Sequence, residues 1–122
     1  ELLGRVDAII TSPPYATALP YLDTDRLSLA YLKLLSRPMH RRRDGDMIGN
    51  REITDRARRQ LWQEYGVARH ELPPSVTHLV DKIHELNSSA DVGFRRKNLS
   101  ALLSRYFLDM RRVLHGCFDL LK

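Results

Sequence analysis

The chain has 122 residues, of which 43% are hydrophobic and 29% charged; this balance is typical of one globular domain and excludes wholesale disorder. Six glycines and six prolines exclude collagen-like and low-complexity classes, and no apolar run approaches the roughly 18 residues that span a bilayer. The single cysteine excludes an internal disulfide and a multi-thiolate zinc site, and it favours a reducing, cytoplasmic setting.

The charge balance favours nucleic acid as a partner. Basic residues outnumber acidic ones by 20 to 15, and arginine, which suits bidentate contact with phosphate, is much the commoner base. The densest stretch, residues 37–59, holds eight arginines, three of them consecutive: Arg41, Arg42 and Arg43. A basic loop beside a nucleic-acid cleft has this composition, and so does a solvated polar loop.

The first predicted element is a short apolar strand from Val6 to Thr11. Proline cannot continue a central strand, so Ser12-Pro13-Pro14 ends it. Its continuous apolar character is typical of a strand buried on both faces of a parallel sheet, whose other strands are then expected outside the chain or on a partner. A well-buried helix is predicted next, over about residues 25–35, with Arg37-Pro38 as its end.

A polar connection is expected over residues 38–53, and three further helices follow it. Thr54 is placed to cap the first, which is predicted to reach Tyr65 and stop at Gly66. The second is predicted to begin at Pro73-Pro74 and run to about Asn87. In the third, apolar residues recur at three- and four-residue steps from Leu99 to Leu121, with Gly116 inside it as a point of weakness.

One short motif directly after the predicted strand carries chemistry. Ser12-Pro13-Pro14-Tyr15 has the form (Asp, Asn or Ser)-Pro-Pro-(Tyr, Phe or Trp). It resembles the catalytic motif of amino methyltransferases, which move a methyl group from S-adenosylmethionine to an exocyclic amine of a base. Such an amine is a poor nucleophile because its lone pair is delocalised into the ring. Two oxygens that accept from the NH2 group would pull the nitrogen toward tetrahedral geometry.

The resemblance implies a role for each residue of the motif. Ser12 and the Pro13 carbonyl would hold the amine, Pro14 would shape the turn, and Tyr15 would stack on a base turned out of its helix. Tyr21, Arg26 and the run Arg41, Arg42 and Arg43 are candidate substrate contacts beside it. A plain turn with a packed tyrosine is the alternative interpretation.

The resemblance extends to DNA modification methylases of the N4-cytosine or N6-adenine type. Residues 6–35, Met47–Glu52 and Tyr106–Leu114 look like stretches of that family. It implies a partial Rossmann-like α/β fold, here one strand plus about four helices, with DNA as the preferred substrate and S-adenosylmethionine as the cofactor. Residues 1–37 would carry the catalytic strand and helix, 38–92 a variable insertion suited to target recognition, and 93–122 a long helix leading to the next sheet strand.

The chain departs from this family in its glycines. The six glycines, at 4, 45, 49, 66, 93 and 116, are scattered, and none forms the strand–glycine–helix cradle that holds the cofactor. The segment is therefore expected to bind S-adenosylmethionine poorly and to be inactive alone, with the cofactor held mainly by parts outside it. Both termini fall in mid-pattern, which also predicts a segment of a longer protein.

Two other functions remain open. An RNA or tRNA guanine methyltransferase uses a similar turn, although Asp would fit it better than Ser12. A non-catalytic, basic helical module would bind nucleic acid with a steep salt dependence that Ser12→Ala leaves unchanged. No metal site is expected, because the histidines at 40, 70, 78, 84 and 115 lack metal spacing. Cys117 and Trp62 are expected to pack, and Asp7 has no catalytic task.

Overall fold

A computed structural model describes residues 4, 6–17, 21–50, 53–89 and 91–122, with all of their side chains except those of Tyr21, Arg37 and Arg41. These ranges form five α-helices: α1 (Tyr21–Tyr31), α2 (Arg37–Asp46), α3 (Asp55–Ala68), α4 (Pro74–Ser88) and α5 (Phe94–Leu120). A 3-10 turn, Arg69–Glu71, joins α3 to α4. Within the described ranges, no helix is both long enough and apolar enough to cross a membrane.

The predicted strand is wrong, and with it the partial Rossmann-like α/β class, because the described residues contain no β-strand. Val6 forms one isolated parallel bridge, to Leu121 just after α5, with backbone hydrogen bonds of 3.2 Å to Leu120 and Lys122. No described residue pairs with the backbone of residues 7–11. An extended segment becomes a strand only where a neighbour satisfies its N–H and C=O groups. Ile10, predicted to be buried, is 99% exposed.

Helices α3, α4 and α5 pack around one apolar core. Tyr65 on α3, Leu72 in the connection, Val80 on α4 and Leu108 on α5 are buried in it. Flanking side chains close its rim: Trp62, Ala68, Val76, Leu103 and Phe107. The three helices predicted last in the sequence therefore make up the folded body of the chain.

The start of α3 is as predicted, and its end is not. Thr54 caps the helix, since its Oγ1 accepts a hydrogen bond from the Ala57 amide at 3.2 Å. The predicted stop at Gly66 is wrong, because α3 continues to Ala68. A glycine ends a helix when it adopts a left-handed conformation, and among the described glycines only Gly4 and Gly49 have positive φ.

Two buried polar side chains on α5 are satisfied by hydrogen bonds. Asn98, which is 1% exposed, donates to the Ile53 carbonyl at 3.2 Å and accepts from Arg58 at 3.4 Å. Ser104 donates to the Ala101 carbonyl of its own helix at 2.9 Å. Asn98 thereby fixes the start of α3 against α5, and neither residue leaves an unpaired polar group in the core.

The first two helices differ most from expectation. α1 begins at Tyr21 and ends at Tyr31, and its predicted burial is wrong, since Leu27 and Tyr31 are 86% and 85% exposed. α2 lies where a polar connection was predicted. Its Pro38 stands in the first turn, where a missing N–H costs the helix nothing, so Arg37-Pro38 begins a helix here.

Candidate functional site

Ser12–Tyr15, called the motif turn below, is an irregular segment on the surface, and the turn itself comes just after it, at Ala16 and Thr17. Ser12 and Pro13 are exposed and Pro14 is half-buried. The Tyr15 side chain is large and apolar, yet the residue is 68% exposed. The hydroxyl of Ser12, the carbonyl of Pro13 and the ring of Tyr15 are therefore accessible to a ligand, as the predicted roles require.

Tyr106 on α5 contacts the backbone of the motif turn. Its Oη donates to the Pro14 carbonyl at 2.9 Å, and its ring meets Phe107 edge-on with centroids 5.5 Å apart. The hydrogen bond fixes the Pro14 carbonyl against α5. The sequence placed Tyr106 only on the apolar stripe of the last helix, and no local signal pointed to its hydroxyl contact.

Gly49 supports the motif turn from a second direction. It is buried, with φ of +87°, and a Cβ built on it would lie 2.7 Å from the Tyr15 carbonyl oxygen. Only a residue without a side chain permits this approach of two backbones. Gly49 belongs to the stretch Met47–Glu52 that carries part of the family resemblance, but no pattern in the sequence predicted its contact with Tyr15.

The end of α2 lies close to the part of α5 that contacts the motif turn. Arg105, the neighbour of Tyr106 on α5, donates to the carbonyl of Gly45 in α2 at 2.6 Å. This bond places the end of α2 beside the part of α5 that holds the motif turn. Arg42 and Arg43 are exposed on α2, whereas the Arg41 side chain lies outside the described part of the chain.

A small cleft opens just past the motif turn. Its volume is about 230 Å³, and Thr17, Arg95, Arg96, Leu99 and Leu102 line it. Arg95 and Arg96 are exposed at the start of α5, and neither side chain contacts a described acidic residue. The position of these two arginines in one cleft with Thr17 depends on the tertiary structure.

The remaining predicted contacts are not brought to the motif turn by any described contact. Arg26 is exposed on α1, whose contact with α2 runs through His40 and the Leu22 carbonyl at 3.3 Å. Tyr21 begins α1, and its side chain lies outside the described residues. These two stay predictions from the sequence.

Four of the six glycines do not form a cradle for S-adenosylmethionine. A cofactor cradle needs a glycine whose missing Cβ leaves room for the ligand backbone. The close approach at Gly49 is filled by the Tyr15 carbonyl, and Gly45, Gly66 and Gly116 lie inside helices. No step through the cofactor is derived from this chain.

The other candidates have packing roles. Trp62 stacks on His84 with ring centroids 3.8 Å apart and lies 5.1 Å from the Tyr65 ring. Cys117 is half-buried on α5. Among the described residues, no three histidine, cysteine or acidic side chains come together as a metal site.

No known protein family, curated protein or solved structure matches this chain. The residues of the chain are therefore the guide to its function.

Proposed function

We propose that this chain carries the base-binding turn of an S-adenosylmethionine-dependent methyltransferase that acts on the exocyclic amine of adenine or cytosine in DNA. One observation carries the proposal. The motif turn presents Ser12, Pro13 and Tyr15 to solvent, while Tyr106 and Gly49 hold its backbone from behind. The Tyr15 side chain, 68% exposed, is open to a partner of this kind.

Each group of the turn has a part in holding the base. The Ser12 hydroxyl and the Pro13 carbonyl accept hydrogen bonds from the amine, and proline offers no N–H to compete with it. Tyr15 provides a flat face for a base that has left the helix, a contact worth about 1–3 kcal/mol in other nucleic-acid sites. A turn held in advance loses little entropy when the base arrives, so positioning supplies much of the catalysis.

Arginines next to the turn favour nucleic acid as the substrate. Arg95 and Arg96 at the start of α5 are exposed and line a cleft with Thr17, and Arg42 and Arg43 are exposed on α2. Guanidinium groups fit phosphate with two parallel hydrogen bonds, and they would orient the strand without reading its sequence. We include Tyr21, Arg26 and Arg41 as further contacts, and we place the protein in the cytoplasm, where a DNA substrate and an unpaired cysteine are both expected.

The chain supplies the base side of this reaction only. Because four of its six glycines do not form a cofactor cradle, we expect these 122 residues by themselves to transfer no methyl group. The test is therefore made on the protein as the cell produces it. Labelled S-adenosylmethionine is offered with duplex DNA and, in parallel, with bulk tRNA.

Ser12→Ala and Ser36→Ala form a matched pair for this assay. Ser36 precedes α2, is exposed, and makes no capping hydrogen bond through its side chain, so its substitution is a neutral control. We expect Ser12→Ala to lower methyl transfer to DNA by on the order of 10²-fold, as the loss of one pre-placed hydrogen bond does in other active sites. Equal activity of the two variants would contradict the role of Ser12.

Labelling of tRNA alone would indicate an RNA guanine methyltransferase instead of a DNA methyltransferase. A non-catalytic, basic helical nucleic-acid-binding module is the second candidate, and the helical architecture of the described residues favours it. No label on either substrate, from wild-type protein that still binds DNA, would decide for that module.

A further inference from the structure

A second cleft lies between α3, α4 and α5, away from the motif turn. Its volume is about 530 Å³, within the range of sites that hold nucleotide-sized ligands. The residues that matter for its chemistry are Arg58, Arg59, Trp62, His84, Lys97 and Ser100. None of the four motif residues lines it, so the cleft is a separate site.

His84 makes one wall of this cleft rigid. From α4, its ring stacks on Trp62 of α3 at a centroid distance of 3.8 Å and an angle of 15°. Its Nδ1 shares a hydrogen bond of 3.1 Å with the Oγ of Ser100 on α5, a residue that is 2% exposed. One side chain thus connects all three helices, and the wall is formed before any ligand arrives.

The cleft also carries positive charge. Arg58 is neutralised by Asp55 at 2.9 Å. Arg59 from α3 and Lys97 from α5 are exposed, and neither forms an ion pair or side-chain hydrogen bond with the described residues. No described residue lining the cleft carries a carboxylate. Cations that face one concave site repel each other and concentrate anions there.

We propose that this cleft binds the phosphate of a nucleotide, either free or within a nucleic-acid strand. Arg59 and Lys97 hold the phosphate oxygens, and the pair Trp62–His84 forms the wall against the sugar or base. Two cations that pair with no described acidic residue suit the several oxygens of a phosphate, which carries two negative charges in a free nucleotide and one in a strand. The inference does not rest on the proposed methyl transfer, because it uses only the geometry of α3, α4 and α5.

Trp62 provides the measurement, since it is the only tryptophan of the chain and lies in the cleft. Its fluorescence is followed while adenosine monophosphate, a short oligothymidylate or adenosine is added. We expect a saturable change with at least one of the two phosphate compounds and none with adenosine. Saturation by the monophosphate identifies a free nucleotide as a sufficient ligand, and saturation by the oligonucleotide alone identifies a strand.

A double variant and a matched control assign the binding to these residues. Arg59→Gln with Lys97→Gln removes the two unpaired cations of the cleft. Arg56→Gln with Lys82→Gln removes one arginine and one lysine at exposed positions outside it, and the Lys82–Glu85 pair that is lost is a surface one of little weight. We expect binding to weaken at least about tenfold in the first variant and less than about twofold in the second.

Two results would overturn the proposal. One is the absence of any fluorescence change with both phosphate compounds. The other is equal weakening in both double variants, which would indicate general charge attraction without a site. Circular dichroism of each variant tests whether the helices are intact, which distinguishes a loss of binding from a loss of folding.

Discussion

The backbones of Gly49 and Tyr15 touch, and this contact sets the shape of the motif turn. The sequence predicts a break in regular structure at Ser12–Tyr15, because two prolines can stand neither in a central strand nor in the interior of a helix. It does not show what the turn leans on, since Gly49 stands in a polar stretch that has no periodic pattern. The sequence therefore indicated the motif residues of the candidate site, but not Gly49 and Tyr106, the two residues that contact their backbone.

Replacing Gly49 by alanine tests this support. A Cβ would stand 2.7 Å from the Tyr15 carbonyl at a φ of +87°, so the two backbones must separate. A left-handed non-glycine residue by itself costs roughly 1–2 kcal/mol. We expect Gly49→Ala to lower the free energy of unfolding, measured in urea, by at least about 1–2 kcal/mol.

Gly45→Ala is the matched control, because Gly45 lies inside α2 with nothing within 4 Å of an added Cβ. Alanine favours a helix interior over glycine by about 0.5–1 kcal/mol, so Gly45→Ala is expected to keep or raise the free energy of unfolding. An equal free energy of unfolding in Gly49→Ala and the wild type would mean that the loop after α2 accommodates the Cβ without strain.

At the scale of elements, Tyr65, Asp81 and Arg69 link α3 to α4. Tyr65 Oη donates to Asp81 Oδ1 at 3.0 Å, and Arg69 pairs with Asp81 Oδ2 at 2.6 Å. Burial, and then the hydrogen bond and charge of Asp81, raise the pKa of Tyr65 from 10.0 to about 12, while Arg69 opposes the shift. The phenolic proton is thus bound more tightly in the folded chain than in the unfolded one.

This difference predicts how stability changes in alkaline solution. The contribution of Tyr65 is complete below pH 10.0 and is lost as the pH rises toward about 12, because the unfolded chain releases the proton first. Tyr65→Phe cannot titrate here. We expect it to lower the free energy of unfolding by about 1 kcal/mol near neutral pH and to flatten the decline above pH 10.0.

Urea unfolding at a series of pH values measures both effects. Tyr31→Phe, at a tyrosine that is 85% exposed on α1, serves as the control and is expected to follow the wild type. A Tyr65→Phe profile parallel to the wild type across this range would contradict the assigned titration.

The elements also show where sequence patterns suffice. α3, α4 and α5 carry apolar residues at helical spacing, and Thr54 caps its helix through an amide three residues away, so both signals are local. α1 carries an apolar sequence too, yet Leu27 and Tyr31 remain exposed. An apolar side chain is buried only where another surface packs against it, and an apolar sequence alone does not provide that surface.

For the whole molecule, a net charge of +5 and the exposed arginines predict a steep salt dependence of DNA binding. Each phosphate contact contributes roughly 0.9 to the slope of log K against log salt. We expect Arg42→Gln with Arg43→Gln to lower the slope by about 2, and Ser12→Ala to leave it unchanged. Fluorescence anisotropy of a labelled duplex over a range of salt concentrations measures it.

Arg112→Gln is the charge control for this experiment. The Arg112 guanidinium already pairs with Asp109 at 3.0 Å on α5, so its removal is expected to change the slope little. An unchanged slope in the α2 variant would show that α2 does not lie on the DNA.

The sequence by itself determined the properties that depend on near neighbours along the chain. These are the basic charge and the three long helices with their starts. The tertiary structure alone decided the rest. Tyr106 meets Pro14 across 92 positions, and the segment after Val6 finds no described partner to make it a strand. Strand pairing, burial and backbone approach join residues distant in sequence, and local patterns carry no information about which distant residues meet.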